Sequence, residues 1–137
     1  MYVHASAVAF DGKGVLIKGA SGSGKSSLAL DLMSRGATLI SDDQTELWRQ
    51  NDSLWARPPD SLAGLIEARG IGILNADWKP APIVAVVDLD HVETERLPKS
   101  ESIDFIGIDL PLLRKIAHPT WNAALAQYLR FGRNVSK

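Results

Sequence analysis

Cysteine is absent from the sequence, which excludes disulfide bonds and zinc sites built on thiolates. Neither sign of charge is in excess, because 15 Lys and Arg stand against 16 Asp and Glu, so the chain as a whole does not attract nucleic acid or a membrane surface. No apolar run approaches the roughly 18 residues of a membrane span. The N-terminus lacks the basic and then apolar pattern of a signal peptide. We therefore expect a cytoplasmic protein without a nucleic-acid partner or a membrane span.

The residues that are present are typical of a globular protein. Hydrophobic residues make up 45% of the 137 positions, which is enough to form a core. This length predicts one domain over residues 1–137, with a polar tail that frays after about residue 131.

One short segment indicates a class of ligand. It fits the phosphate-loop pattern G-x-x-x-x-G-K-S, follows the apolar run 14–17 and precedes a helical pattern over 25–35, which is the context that this motif requires. Its glycines and the helix N-terminus offer backbone N–H groups to phosphate oxygens. The alternative is a Gly/Ser-rich turn with an accidental lysine. The candidate phosphate-binding residues are Gly19, Ala20, Ser21, Gly22, Ser23, Gly24, Lys25 and Ser26.

Strands and helices alternate irregularly along the chain. Residues 3–10 and 14–18 flank the turn signal Asp11-Gly12 and predict an antiparallel hairpin. Residues 45–57 predict a second hairpin, the apolar run 83–89 predicts a strand covered on both faces, and a helix is expected from 119 or 120 to about 129. Several hairpins with two helices predict an α/β fold with a mixed sheet, rather than a fully parallel one.

Three further groups of polar residues are candidates for chemistry. Asp42 and Asp43 follow a short strand over 37–40, and phosphoryl transfer needs a carboxylate that holds Mg²⁺ or accepts a proton; a solvated turn is the alternative. Glu67 and Arg69 stand in an apolar segment and fit metal and phosphate binding, or else they flank a surface loop. His4 in the first strand is by itself a structural histidine.

In this order along the chain, these segments resemble the catalytic domain of HPr kinase/phosphorylase, the bifunctional enzyme that acts on a serine of the phosphocarrier HPr. The resemblance rests on Val3–Ala5, the strand and phosphate loop 14–26, the segment 39–43 and the segment 65–73. It implies a fold related to the nucleotide-binding domain of phosphoenolpyruvate carboxykinase, with ATP and Mg²⁺ as cofactors.

The resemblance also implies roles for single residues. Asp43 matches the proton acceptor for phosphorylation, Asp42 lies beside it, and His4 matches a histidine that interacts with this pair. Lys25 matches the phosphate-binding lysine, and Ser26 matches one Mg²⁺ ligand. Glu67 matches the second Mg²⁺ ligand. It also begins the family signature, whose residues are Glu67, Arg69, Gly70 and Gly72.

Two departures from the family pattern are visible. Full-length members carry an N-terminal domain for which 137 residues leave no room, so the chain resembles a short form. Members also carry a Pro-Gly-Arg-Asn-like stretch whose arginine supports dephosphorylation, and Trp121 falls where that arginine would be. Trp has neither a positive charge nor a bidentate fork, so we expect weak or absent phosphorylase activity unless Arg114, Arg130 or Arg133 substitutes.

The expected function is therefore an ATP-dependent protein-serine kinase that acts on HPr or a paralogue. A kinase for a small metabolite is one alternative. Another is a nucleotide-sensing module that controls a partner such as a sensor kinase. The family tends to form hexamers, which makes a homo-oligomer an expectation as well.

Overall fold

The computed structural model describes residues 1–134 and 136. Two α-helices and eleven strands form in this part of the chain, together with a 3-10 turn at Asp60–Leu62. The helices are α1 (Lys25–Ser34) and α2 (Trp121–Phe131). The strands are β1 (Tyr2–Val3), β2 (Ala5–Phe10), β3 (Lys13–Lys18), β4 (Thr38–Ser41), β5 (Thr45–Gln50), β6 (Ser53–Arg57), β7 (Leu65–Ala68), β8 (Gly72–Asn75), β9 (Ala81–Asp88), β10 (Glu101–Phe105) and β11 (Ile108–Arg114).

Nine of the described strands share one mixed sheet. Its main order is β1-β5-β6-β9-β3-β2-β4, and β9 is parallel to β3. The other edge of β9 pairs with β6 at its start and with β11, in parallel, at its end. The predicted hairpins β2–β3 and β5–β6 are both present, and the prediction of an α/β fold with a mixed sheet is confirmed.

The two faces of the central strands bury different residues because side chains alternate along a strand. Val15 and Ile17 face a core that α1 and α2 cover, whereas Leu16 between them faces a second core. That second core is closed by residues of β5, β6 and β11, which include Leu47, Leu54 and Leu110. The phosphate-loop segment therefore leaves a strand that is fixed on both faces.

The C-terminal third departs most from the sequence patterns. Residues 91–100 form a connection, and β11 is a strand that the pattern did not predict. Pro111 lies inside β11 opposite Ser102, and a proline cannot donate to a strand ladder, so it hides the strand signal. The helix expected from 119 or 120 to about 129 is present as α2, and Leu125 and Leu129 on it are buried. The tail after Phe131 is non-helical at 132–134; positions 135 and 137 lie outside the described residues.

Neither α-helix in the described part of the chain is long and apolar enough to cross a membrane.

Candidate active site

The predicted phosphate loop connects the end of β3 to the start of α1. Gly22 and Gly24 adopt φ values of +82° and +100°, a left-handed conformation that strains any residue with a Cβ. Gly24 is also the N-cap of α1 and has no side chain that could cap the first turn of the helix. The N–H groups of that turn therefore have no side-chain partner at the N-cap, as anion binding requires.

Lys25 opens α1 and is only 5% exposed. Its ammonium donates to the carbonyl oxygens of Gly19 at 2.9 Å and Ala20 at 3.0 Å, and lies 3.2 Å from His4 Nε2. The ammonium is thus held over the loop rather than extended into solvent. A charge at this position is within the reach of a phosphate bound on the loop.

Asp42 is the buried member of the acid pair. The residue is 7% exposed, and its Oδ1 accepts hydrogen bonds from the hydroxyls of Ser6 at 2.8 Å and Ser26 at 2.7 Å. Its Oδ2 accepts the backbone N–H of Glu67 at 3.0 Å. With three hydrogen-bond donors, the Asp42 carboxylate does not belong to a solvated turn. It connects β2, the phosphate loop and β7.

Asp43 has a different environment from its neighbour. It adopts φ +69°, which is uncommon for a residue other than glycine, and its side chain is 64% exposed. Its Oδ1 lies 3.4 Å from His4 Nδ1. The left-handed turn therefore sends one acid inward and the next one outward, so they do not compete for the same partners.

His4 connects the exposed acid to the phosphate loop. It lies at the bend between β1 and β2, where its Nε2 faces the ammonium of Lys25 and the hydroxyl of Ser21 at 3.4 Å. An ammonium only donates, so Nε2 is the acceptor in this contact, and Nδ1 then carries the proton that faces Asp43. This pattern gives the histidine an orienting contact on each side.

The segment that contains the family signature forms the hairpin β7–β8. Gly70 and Gly72 have φ values of +86° and +126° around its tip, which explains both glycines. The side chains of Glu67 and Arg69 are exposed, although the Glu67 N–H is tied to Asp42. The sequence patterns did not predict a hairpin here.

The phosphate loop, the acid pair and the hairpin enclose one cleft of about 430 Å³. Leu62, Leu65, Ile66 and Ile73 form its apolar part. The predicted residues that line it are Ser21, Gly22, Gly24, Lys25, Ser26, Asp42, Asp43, Glu67 and Arg69. The predicted residues outside the lining are His4, Gly19, Ala20, Ser23, Gly70 and Gly72.

Among the described residues, no group of three or more His, Asp or Glu side chains could hold a metal ion by itself. Mg²⁺ in phosphoryl-transfer sites needs fewer protein ligands, since it keeps waters and binds substrate phosphates through one or two carboxylates. The oxygen donors of Ser26 and Glu67 share the cleft and fit that partial set.

Comparison with known proteins agrees with this geometry. A family model described as HPr Serine kinase C-terminal domain matches residues 1–79, which is more than half of the chain. The chain belongs to this family. It is 35% identical over 126 residues to HPr kinase/phosphorylase of Streptococcus thermophilus, and 51% identical over 74 residues to that of Shouchella clausii. These matches cover 82% and 53% of the chain, but 41% and 24% of the relatives.

A solved structure shows the same architecture. The structure of the Hpr(Ser) kinase/phosphatase from Coxiella burnetii superposes with a TM-score of 0.79 at 26% identity, over 95% of this chain and 94% of that one. The chain spans about two fifths of the length of the streptococcal relative, so its match to that protein is a match to one part of it.

In this HPr kinase-family domain, a second group of residues contacts the phosphate loop from the end of β9. The Leu89 N–H donates to the Lys18 carbonyl at 3.0 Å, and Asp90 Oδ1 accepts the Ala20 N–H at 2.9 Å. Sequence reasoning did not find Asp90. The available signal was the pair Asp88 and Asp90 at the end of the apolar strand. Because β9 is parallel to β3, the carboxyl ends of the two strands lie together.

Asp88 anchors this group. Burial raises the pKa of its carboxyl, but hydrogen bonds from His91 at 2.8 Å and the Asp90 N–H at 2.9 Å outweigh burial, with help from the Lys18 charge. The net result is that the pKa of Asp88 is lowered from its ordinary 3.8. A lowered folded pKa stabilises the fold above the unfolded pKa, and this contribution is lost as the pH falls through the folded pKa.

Replacing Asp88 with Asn is therefore expected to lower the free energy of unfolding by about 1–3 kcal/mol near pH 7. The difference from wild type should shrink as the pH falls below the ordinary value of 3.8. Urea unfolding at a series of pH values measures it, with exposed Asp109→Asn as the control. A difference that stays constant between about pH 7 and about pH 2 would contradict the linkage.

None of the three arginines that could substitute for the missing family arginine lines the cleft. Arg114 pairs with Glu101 at 2.9 Å, and Arg130 and Arg133 lie over the rings of Phe10 and Tyr128. Trp121 packs against the core at the start of α2. Among residues 1–134 and 136, Arg69 is the only arginine that lines the cleft.

Proposed function

We propose that this domain is a protein-serine kinase that transfers the γ-phosphoryl group of ATP to a serine of an HPr-like phosphocarrier. The observation that carries the proposal is the cleft itself. It combines a phosphate loop, a buried acid bonded to the loop's Ser26 and an exposed acid at the rim. The relatives named HPr kinase/phosphorylase support this choice of acceptor.

The ATP phosphates bind on residues 19–26. The loop offers N–H groups and the Lys25 ammonium, and these replace the water that phosphate oxygens lose on binding. Ser26 and Glu67 would hold Mg²⁺, which would neutralise negative charge on the ATP phosphates. Asp42 accepts a hydrogen bond from the Ser26 hydroxyl, so the oxygen lone pairs of Ser26 remain available for a ligand.

Asp43 takes the proton of the acceptor serine. Its carboxylate is the more exposed of the pair and can meet a hydroxyl that a partner protein brings to the rim. His4 holds it by the contact at Nδ1 and joins it to the loop through Lys25. The protein thus contributes position and charge more than covalent chemistry.

Incubation with γ-labelled ATP, Mg²⁺ and purified HPr, followed by mapping of the labelled residue, tests the proposal. Label on one serine of HPr supports it. Label on a small hydroxyl compound but not on HPr would favour the metabolite kinase. Tight ATP binding without transfer to either would favour a nucleotide-sensing module that acts on a partner such as a sensor kinase.

We expect the reverse, phosphate-dependent reaction to be weak or absent. An arginine that reaches a transferring phosphoryl group is worth about 10³-fold or more in rate. Trp121 stands where the family pattern has that arginine, and Arg114, Arg130 and Arg133 contact other parts of the fold. Arg69 does line the cleft, but it lies in the hairpin β7–β8 and not in the stretch that carries the family arginine. The measurement is release of pyrophosphate from phosphoserine-HPr with inorganic phosphate. A rate comparable to the kinase rate would refute the expectation.

A further inference from the structure

Ser6 contacts both acidic residues of the cleft, although it does not line the cleft. It is fully buried near the start of the strand β2, whose other residues are all apolar. Its hydroxyl donates to Asp42 Oδ1 at 2.8 Å and accepts the Asp43 N–H at 3.1 Å. We propose that Ser6 is a positioning residue that fixes Asp42 and Asp43 in their opposite orientations.

The position of Ser6 in the sheet explains why a hydroxyl is needed there. The pairing of β2 with β4 ends at Ala7 and Ser41, and the turn with Asp42 and Asp43 leaves the sheet at that point. The Asp43 N–H has consequently left the strand ladder. This N–H is partly buried, and the Ser6 oxygen accepts it in place of a backbone carbonyl.

The chemistry of the groups fixes the direction of both hydrogen bonds. The Asp42 carboxylate only accepts, so the single Ser6 proton lies on the bond to Oδ1, and a lone pair of the same oxygen receives the Asp43 amide. One side chain thereby couples the left-handed backbone of Asp43 to the carboxylate that also holds Ser26. Removing the hydroxyl takes one of three hydrogen-bond donors from Asp42 and the side-chain acceptor from the Asp43 N–H.

The consequence for catalysis rests on the proposed kinase function. In that function residues 19–26 hold the phosphates. Ser6 is connected to this loop through Asp42, which also bonds to Ser26. A misplacement of about 1 Å costs on the order of 10²-fold in rate. We expect Ser6→Ala to lower kcat by about tenfold or more and to leave the KM for ATP unchanged.

Thr45→Val is the matched control. Thr45 is also fully buried next to β2, and its hydroxyl donates to the Ala5 carbonyl at 2.9 Å without contacting either acid. Like Ser6→Ala, Thr45→Val removes a buried hydroxyl and the hydrogen bond that it donates, but it leaves both acids untouched and should retain kcat. Ser6→Cys, whose thiol is a weak donor and acceptor, is the second variant if Ser6→Ala does not fold.

Hydrogen exchange of the Asp43 amide, followed by NMR, gives a readout that does not depend on activity. The inference expects faster exchange of this amide in Ser6→Ala than in wild type or Thr45→Val. It is overturned if exchange is unchanged, if kcat equals that of Thr45→Val, or if only the KM for ATP changes. If wild type transfers nothing, the proposed function fails, and the exchange result still decides whether Ser6 holds the turn.

Discussion

Replacing Lys25 with alanine is expected to abolish phosphoryl transfer and to weaken the binding of Mg·ATP. The ammonium is held over the loop by the carbonyls of Gly19 and Ala20 and supplies its full positive charge. A charge-assisted hydrogen bond is worth about 1.5–3 kcal/mol, so affinity should fall by about tenfold to a hundredfold. Isothermal titration with a non-hydrolysable ATP analogue measures the affinity, and the labelled-HPr assay measures transfer.

Lys13→Ala is the control for this variant. Lys13 begins the same strand β3 at the end away from the loop, and its ammonium donates to the Arg130 carbonyl at 2.8 Å. Lys13→Ala changes the net charge by the same amount as Lys25→Ala but should bind nucleotide as wild type does. Thermal unfolding of both variants separates a lost charge from a distorted loop. Equal nucleotide affinity in the two variants would contradict the role of Lys25.

Asp43→Asn is expected to abolish transfer and largely to spare nucleotide binding. The amide has nearly the same shape but cannot accept the serine proton, and loss of a general base costs about 10²–10⁴-fold in rate. The side chain is 64% exposed, so the fold should tolerate the change. The labelled-HPr assay and titration with the ATP analogue check the two halves of this prediction.

Two comparisons sharpen the test of Asp43. Asp52→Asn removes a fully exposed carboxylate in the turn between β5 and β6 and should have no effect on transfer. Asp42→Asn should instead lower stability, because it places an amide among three hydrogen-bond donors. Near-full transfer by Asp43→Asn would show that another group accepts the proton.

Local patterns in the sequence were sufficient to predict the loop between β3 and α1 and both early hairpins. The turn at Asp11-Gly12, the glycines of the loop and the helix after it each depend on neighbours within a few residues. The same reasoning missed β11, because Pro111 interrupts its pattern, and gave no hairpin for 65–74.

The difference in burial between the two acids could not be predicted from the sequence. Asp42 and Asp43 are adjacent and chemically identical, and the hydrogen bonds that hold Asp42 inside come from Ser6, 36 positions away, and from the Glu67 N–H, 25 positions away. Asp90 meets the loop across 70 positions. Such contacts depend on strand order, which one sequence without an alignment does not reveal. The roles of the site residues remain predictions.

A crystal structure of this domain with Mg²⁺ and a non-hydrolysable ATP analogue tests the central claim most directly. The account predicts the triphosphate against the phosphate loop of residues 19–26, and Mg²⁺ about 2.0–2.1 Å from oxygens of Ser26 and Glu67. The γ-phosphate should lie on the side of the cleft where Asp43 is exposed. A nucleotide bound outside the cleft, or a γ-phosphate directed away from Asp43, would contradict it.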